Sequence, residues 1–244
     1  MKSKKTFLTL LTVGLIAGLG FTGSSIVRGA DAGATLKGSV MFKGVAPTPA
    51  KIKTSADPMC QQMHPQGIKN EEYVVGKNGG LQNVFIYVKQ GLEGKTFPVE
   101  TKPATITQKG CQYVPHVVGV QTGQPLEITN DDATLHNVNA QPKNNAGFNF
   151  AQPVQGMKSA KKFEKPEIMV PFICNIHPWM KSYIGVVGHP FFAVSNDSGQ
   201  FEIKDLPAGT YVLEAWHEKM GTSQQKITIK PGEVKQVSFV FTKA

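Results

Sequence analysis

The sequence predicts an all-β fold built of β-sandwiches. Gly (25 residues) and Pro (16 residues) punctuate a chain that has few long helix-forming stretches. Val, Ile, Thr and Phe, which suit a pleated and half-buried surface, recur in short runs. Turn signals separate these runs at the spacing of a sandwich. With 244 residues, 40% of them hydrophobic and 18% charged, the chain can bury a real core in one large or two small domains.

Residues 1–32 stand apart. Lys2, Lys4 and Lys5 precede an apolar run from Phe7 to Phe21, and small residues follow, including Ala30-Asp31-Ala32. This order reads as a secretory signal peptide cut after Ala30 or Ala32. The run is short for a bilayer span, which needs roughly 20 residues. The expectation is a mature protein outside the cytoplasm, in a bacterial periplasm, with no membrane span after cleavage. Losing Lys2, Lys4, Lys5 and Arg28 from 26 basic residues leaves 22 lysines against 17 acidic residues, a net +5. That chain has no Arg, the residue that forks onto bases and phosphates, so nucleic-acid binding is not expected.

The first strand fits 34–45, and an irregular Pro-rich stretch covers 46–80. Residues 83–89 (NVFIYVK) read as a strong strand. Further strands fit 104–108, 112–120, 125–130 and 135–140. A loop holding Pro142, Asn144, Asn145 and Gly147 comes next, then strands at 158–164, 168–174 and 182–188. From 189 the pattern renews itself, with strands at 191–195, 200–204, 210–216, 224–230 and 234–242. In the last of these, Val237, Phe239 and Phe241 share one face.

Three cysteines, Cys60, Cys111 and Cys174, are an odd number. In an exported protein two can pair and one has another task. The segment Cys174-Asn175-Ile176-His177-Pro178-Trp179-Met180 sets a thiolate, an imidazole and a thioether in one short loop between strands. Upstream, His136-Asn137-Val138 opens another strand. Two His, one Cys and a weak axial Met form the donor set of blue-copper electron-transfer sites. Soft sulfur donors favour Cu(I), while imidazole accepts both oxidation states. A thioether is a poor zinc donor, which argues against a structural zinc site. With Cys174 assigned to metal, Cys60 and Cys111 remain to form a disulfide. The loop has no second Cys for a dinuclear copper site. The six His form no H-x-H pair for a multicopper oxidase, and no enzymatic activity is expected.

These motifs resemble the cupredoxin (type 1 blue copper) family. The spacing after His177 is as in amicyanin and shorter than in plastocyanin. The resemblance covers roughly 104–188 and includes Gly123-Gln124-Pro125-Leu126 running into a strand. It implies a Greek-key β-sandwich, with His136, Cys174 and His177 as strong copper ligands and Met180 as the long axial one. It also implies that Asn137 braces the loop and donates a backbone N–H to the Cys174 sulfur. Pro178 is implied as a further supporting loop residue, and His177 as the more exposed imidazole and electron port. Trp179 is a candidate docking residue, since aromatics at the surface mark contact sites. The implied function is single-electron transfer between redox partners, such as a cytochrome or a periplasmic oxidoreductase. Copper delivery, or a structural or adhesion module, are the alternatives.

Residues 189–244 carry Asp197-Ser198-Gly199-Gln200-Phe201 and Leu206-Pro207-Ala208-Gly209-Thr210-Tyr211. They resemble the carboxypeptidase regulatory-like, transthyretin-type β-sandwich. Its missing strands fit Lys37–Phe42 and Asn83–Val88. The expected organisation is a signal peptide (1–32), N-terminal strands that could complete the second sandwich (34–90), a copper domain (100–188) and the second sandwich (189–244), with the copper domain either inserted within that sandwich or placed in sequence after an N-terminal extension. His189 and His217, near Glu214 or Glu218, form a candidate second metal or proton-linked site. Met59, Met63 and His64 are candidates for copper handover.

Overall fold

The computed structural model describes residues 33–243, so the expected signal peptide lies outside the described residues. The N-terminal part contains β1 (Ala34–Lys43), β2 (Lys51–Ile52), α1 (Pro58–Met63), β3 (Ile68–Lys69) and β4 (Phe85–Gln90). The middle part runs through β5 (Ala104–Gln108), β6 (Tyr113–Val114), β7 (Val117–Gln121), β8 (Leu126–Asn130), β9 (His136–Ala140), β10 (Phe148–Gln152), β11 (Lys158–Lys161), β12 (Glu167–Ile173) and β13 (Lys181–Val187). The last part holds β14 (Phe192–Val194), β15 (Gln200–Leu206), β16 (Gly209–His217), β17 (Gly221–Ile229) and β18 (Val234–Thr242). Among the described residues the fold is all-β apart from one short helix. Among the described residues no helix is long and apolar enough to cross a membrane.

Two sandwiches form. One stacks the sheet β15-β1-β18 against the sheet β14-β4-β16-β17. Its core includes Leu36, Val40, Ile86, Leu213 and Phe239. Val237, Phe239 and Phe241 of β18 are all buried, as their alternation requires. β1 runs parallel to β18 from Thr35↔Val234 to Lys43↔Thr242, so the two ends of the described chain complete one sheet. β14 pairs directly with β4, Phe192 opposite Tyr87. The chain therefore leaves this sandwich and re-enters it at neighbouring strands. Residues between them build the other sandwich, β11-β8-β5-β6 on β10-β9-β12-β13-β7, around Ile106, Ile128, Val138, Phe172 and Ile184.

A third cluster, Phe85, Tyr87, Val117, Met169 and Val187, joins the two sandwiches. Its close fit depends on glycine. Gly119 and Gly185 are register partners on β7 and β13. A Cβ on Gly119 would come within 2.4 Å of the Phe192 ring, and one on Gly185 within 2.6 Å of the Phe85 ring. The paired glycines thus form a shallow recess that accepts aromatic rings from the other sheet.

Several local expectations differ from the structure. The single strand expected at 112–120 is two, β6 and β7, because Pro115 lies between them and has no N–H to donate. Residues 148–152, where the sequence predicts no strand, form β10 in register with β9. The stretch 46–80 is not uniformly irregular. It carries the β2–β3 ladder and α1, whose first residue is Pro58 and whose N-cap is Asp57, with a side chain that accepts the Cys60 N–H.

Candidate metal centre

His136 begins β9 directly after a turn fixed by Asn130. The Asn130 side chain donates to the carbonyls of Thr134 and Gln152 and accepts the Asp132 N–H. Cys174 follows the last residue of β12, and Met180 precedes β13. Their loop is closed by Cys174 N–H to the Met180 carbonyl (3.2 Å) and Met180 N–H to the His177 carbonyl (2.9 Å). Short-range closure therefore sets three side chains on one small loop, and pairing of β12 with β9 brings the fourth beside them.

The structure brings His136, Cys174 and His177 together, one donor atom from each lying within 4.8 Å of the others. The two Nδ1 atoms face each other at 3.0 Å, and the Cys174 Sγ lies 3.6 Å from His177 Nδ1. All three residues are buried, none more than 2% exposed, and Met180 is 1% exposed in the same core cluster. Asn137 stands where the loop needs support. Its backbone N–H points at Sγ (3.4 Å), and its side-chain oxygen accepts the Asn175 N–H (3.2 Å). Pro178 is exposed on the loop.

The electrostatics follow from two carboxylates. Asp132 lies 2.8 Å from His136 Nε2, and Asp57 lies 3.2 Å from His177 Nε2. Burial opposes ionisation of Asp132, but His136 and the backbone N–H groups of Cys111 and Gly110 outweigh it and hold its pKa low. Burial likewise opposes the charge on Asp57, yet the Cys60 N–H and His177 keep its pKa low too. Ionised carboxylates only accept, so each Nε2 is a donor. Each ring then turns Nδ1 toward the same small space.

Burial alone would raise the Cys174 thiol. Contacts from His136, His177 and the Asn137 N–H instead bring it down to about 5. Two imidazole nitrogens and a sulfur anion packed this closely need a positive charge among them. Burial disfavours charge on His136, but Asp132 and Cys174 overcome that and raise its pKa. A soft or borderline metal ion satisfies the same demand with all three donors at once. The residues therefore fit such an ion.

Cys60 and Cys111 form a disulfide with Cα atoms 5.8 Å apart, and Cys174 is free. The bridge sits between the two carboxylates. Asp57 accepts the Cys60 N–H (2.9 Å), and Asp132 accepts the Cys111 N–H (2.8 Å). Sequence reasoning missed both acids as ring partners. Asp132 was legible only as part of an Asn-Asp-Asp turn, and Asp57 only as the residue before Pro58.

One expectation is corrected. His177 is not the exposed imidazole but is 0% exposed. α1 and its cap cover it, with Cys60 Sγ 3.6 Å from Nε2 on the same side as Asp57. Trp179 is half-buried. Its indole N–H donates to the Cys111 carbonyl (3.0 Å), and its ring centroid lies 5.1 Å from that of His177.

The other candidates lie apart. His189 Nε2 meets the Val88 carbonyl, while His217 packs on Tyr73 and Phe241. Among the described residues these two do not share a ligand cluster. His64 is occupied by the Gly110 carbonyl (2.8 Å), and Met63 is exposed.

Carboxylates that orient ligating imidazoles typically govern affinity, so Asp132→Asn is expected to weaken metal binding about 10- to 100-fold. Competition with a chelator of known affinity measures this. Unchanged affinity would show that Asp132 serves only the turn.

No protein-family model matches this chain, and neither does any curated protein. Among solved structures it is similar to a purple cupredoxin from Nitrosopumilus maritimus, with 23% identity and a TM-score of 0.30 over 34% of this chain and 98% of that one. It is similar to a copper-containing nitrite reductase from Thermus scotoductus SA-01, with 27% identity and a TM-score of 0.30 over 40% of this chain and 25% of that one. It is also similar to a Cu(I) amicyanin variant, with 16% identity and a TM-score of 0.31 over 34% of this chain and 81% of that one.

Proposed function

We propose that this protein is an extracytoplasmic type 1 copper protein that carries single electrons between redox partners and is not itself an enzyme. The observation that carries the reading is the convergence of His136 Nδ1, His177 Nδ1 and the Cys174 sulfur, with both Nε2 atoms held by carboxylates. Met180 is the fourth, weaker donor. Copper bound there supplies a one-electron couple, Cu(I)/Cu(II), that both sulfur and imidazole donors accommodate.

The chain's own residues do the rest. The Asn137 N–H holds the sulfur in place. Asp132 and Asp57 keep the imidazoles from turning, so a change of oxidation state meets a preset frame. Burial of every donor supports a carrier over an enzyme, since a substrate would need an open coordination position. It also opposes copper delivery, because exchange would require α1 to lift. The disulfide suits an oxidising compartment.

Copper(II) added to the purified protein is expected to give intense visible absorption from thiolate-to-metal charge transfer. Ascorbate should bleach it reversibly. A colourless complex that yields its copper rapidly to a chelator would favour delivery instead.

With His177 covered, the port is Trp179. Its ring touches the His177 side of the site and reaches the surface. Trp179→Leu is expected to slow electron self-exchange several-fold while leaving the absorption band in place, as read from line broadening in mixed Cu(I)/Cu(II) samples. An unaltered exchange rate would place the port elsewhere.

A further inference from the structure

The two imidazoles of the copper site share one arrangement, with Nε2 on a carboxylate and Nδ1 left for a metal. A third histidine repeats it. His116, between β6 and β7, is 8% exposed, and its Nε2 lies 2.6 Å from Glu218 Oε1. Glu218 is itself fixed through its other oxygen, which accepts from the Tyr183 hydroxyl (3.1 Å). His116 Nδ1 is buried and has no hydrogen-bond partner.

What faces that nitrogen is a carboxylate. Glu71 Oε2 lies 3.6 Å from His116 Nδ1 and is held by the Gln112 side-chain amide (3.1 Å). The separation is long for a hydrogen bond. It is close to the roughly 3.4 Å between neighbouring donors about 2.1 Å from one tetrahedral ion. Lys181 lines the same space. All of these groups line a cavity of about 100 Å³ that also touches Trp179. Glu71 is 35% exposed and gives an ion a way in.

We infer that this cavity is a second metal site, for a divalent ion of the zinc or copper(II) class, with His116 Nδ1 and Glu71 as ligands and Glu218 orienting the ring. Nitrogen and hard oxygen donors without sulfur suit such ions and not Cu(I). The site draws on all three parts of the chain, since Glu71 precedes β4, His116 lies in the inserted sandwich and Glu218 follows β16. The ion would tie the insert to its host beside the copper loop.

The test uses the full mature chain. One equivalent of copper is bound first, and its absorption band reports the Cys174 site independently. Zn²⁺ is then added, and bound zinc is counted by elemental analysis after dialysis. The expected result is one zinc per chain with the band retained, together with a shift of the His116 Nδ1 NMR resonance. Glu71→Gln keeps the His116–Glu218 contact and should lower zinc affinity at least tenfold. No zinc taken up by the wild type, or equal uptake by Glu71→Gln, would overturn the inference. So would an unmoved His116 resonance in a zinc-loaded protein.

Discussion

Replacing Cys174 with Ser is expected to abolish the visible absorption of the copper-treated protein completely and to leave the fold standing. The band arises from charge transfer out of a thiolate, and a serine hydroxyl has no accessible anion near neutral pH. The wild-type thiol is placed for the opposite behaviour, brought to about 5 by His136, His177 and the Asn137 N–H against the effect of burial. The structural cost is small. Oxygen for sulfur at a site 2% exposed keeps the loop's backbone bonds, and a change of this size is expected to cost about 1 kcal/mol. Met180→Leu is the contrasting variant. It keeps volume, which cores tolerate well, and removes only the weak fourth donor, so colour should survive with an altered potential. Optical and electron paramagnetic resonance spectra of both variants make the comparison. A Cys174→Ser protein that still shows the band would end the proposal.

The largest effect on stability is expected from Cys60→Ser/Cys111→Ser. Cross-linking residues 51 apart in sequence restricts the unfolded chain by about 4 kcal/mol in the loop-entropy account. Denaturant titration of the metal-free proteins measures that loss. A second effect should accompany it at the centre. Asp57 accepts the Cys60 N–H and Asp132 the Cys111 N–H, so the bridge fixes both acids that steer the imidazoles. Copper should leave the double variant faster when a Cu(I) chelator is added. If stability falls while the exchange rate stays that of the native protein, the bridge supports the fold alone.

The parts of the site that lie close together in sequence were legible. Cys174, His177 and Met180 share one short loop, and His136 with Asn137 opens a strand, so residue type and spacing already pointed to the cluster that the structure gathers from His136, Cys174 and His177. Most strands of both sandwiches were legible for the same reason, because alternation is local. What escaped was contact at long range. Asp57 meets His177 across 120 positions, and Glu218 meets His116 across 102. Nothing at either end of such a pair marks the other. The covering of His177 escaped too, because α1 is one short helix within a Pro-rich stretch and its role depends entirely on where it lands. β10 was missed because it alternates aromatics on a sheet edge beside a Gly- and Asn-rich loop, where turn signals dominate the reading.

The Cys60–Cys111 bridge gives this centre a history as well as a shape. The bridge joins the helix above His177 to the loop whose N–H groups hold Asp132, and the Thr134–Asp57 and His64–Gly110 contacts cross the same gap beside it. If the centre holds copper as proposed, retention of the ion would depend on the redox state of a bond that is none of its ligands, and a reductant able to open that bond is expected to speed the ion's loss.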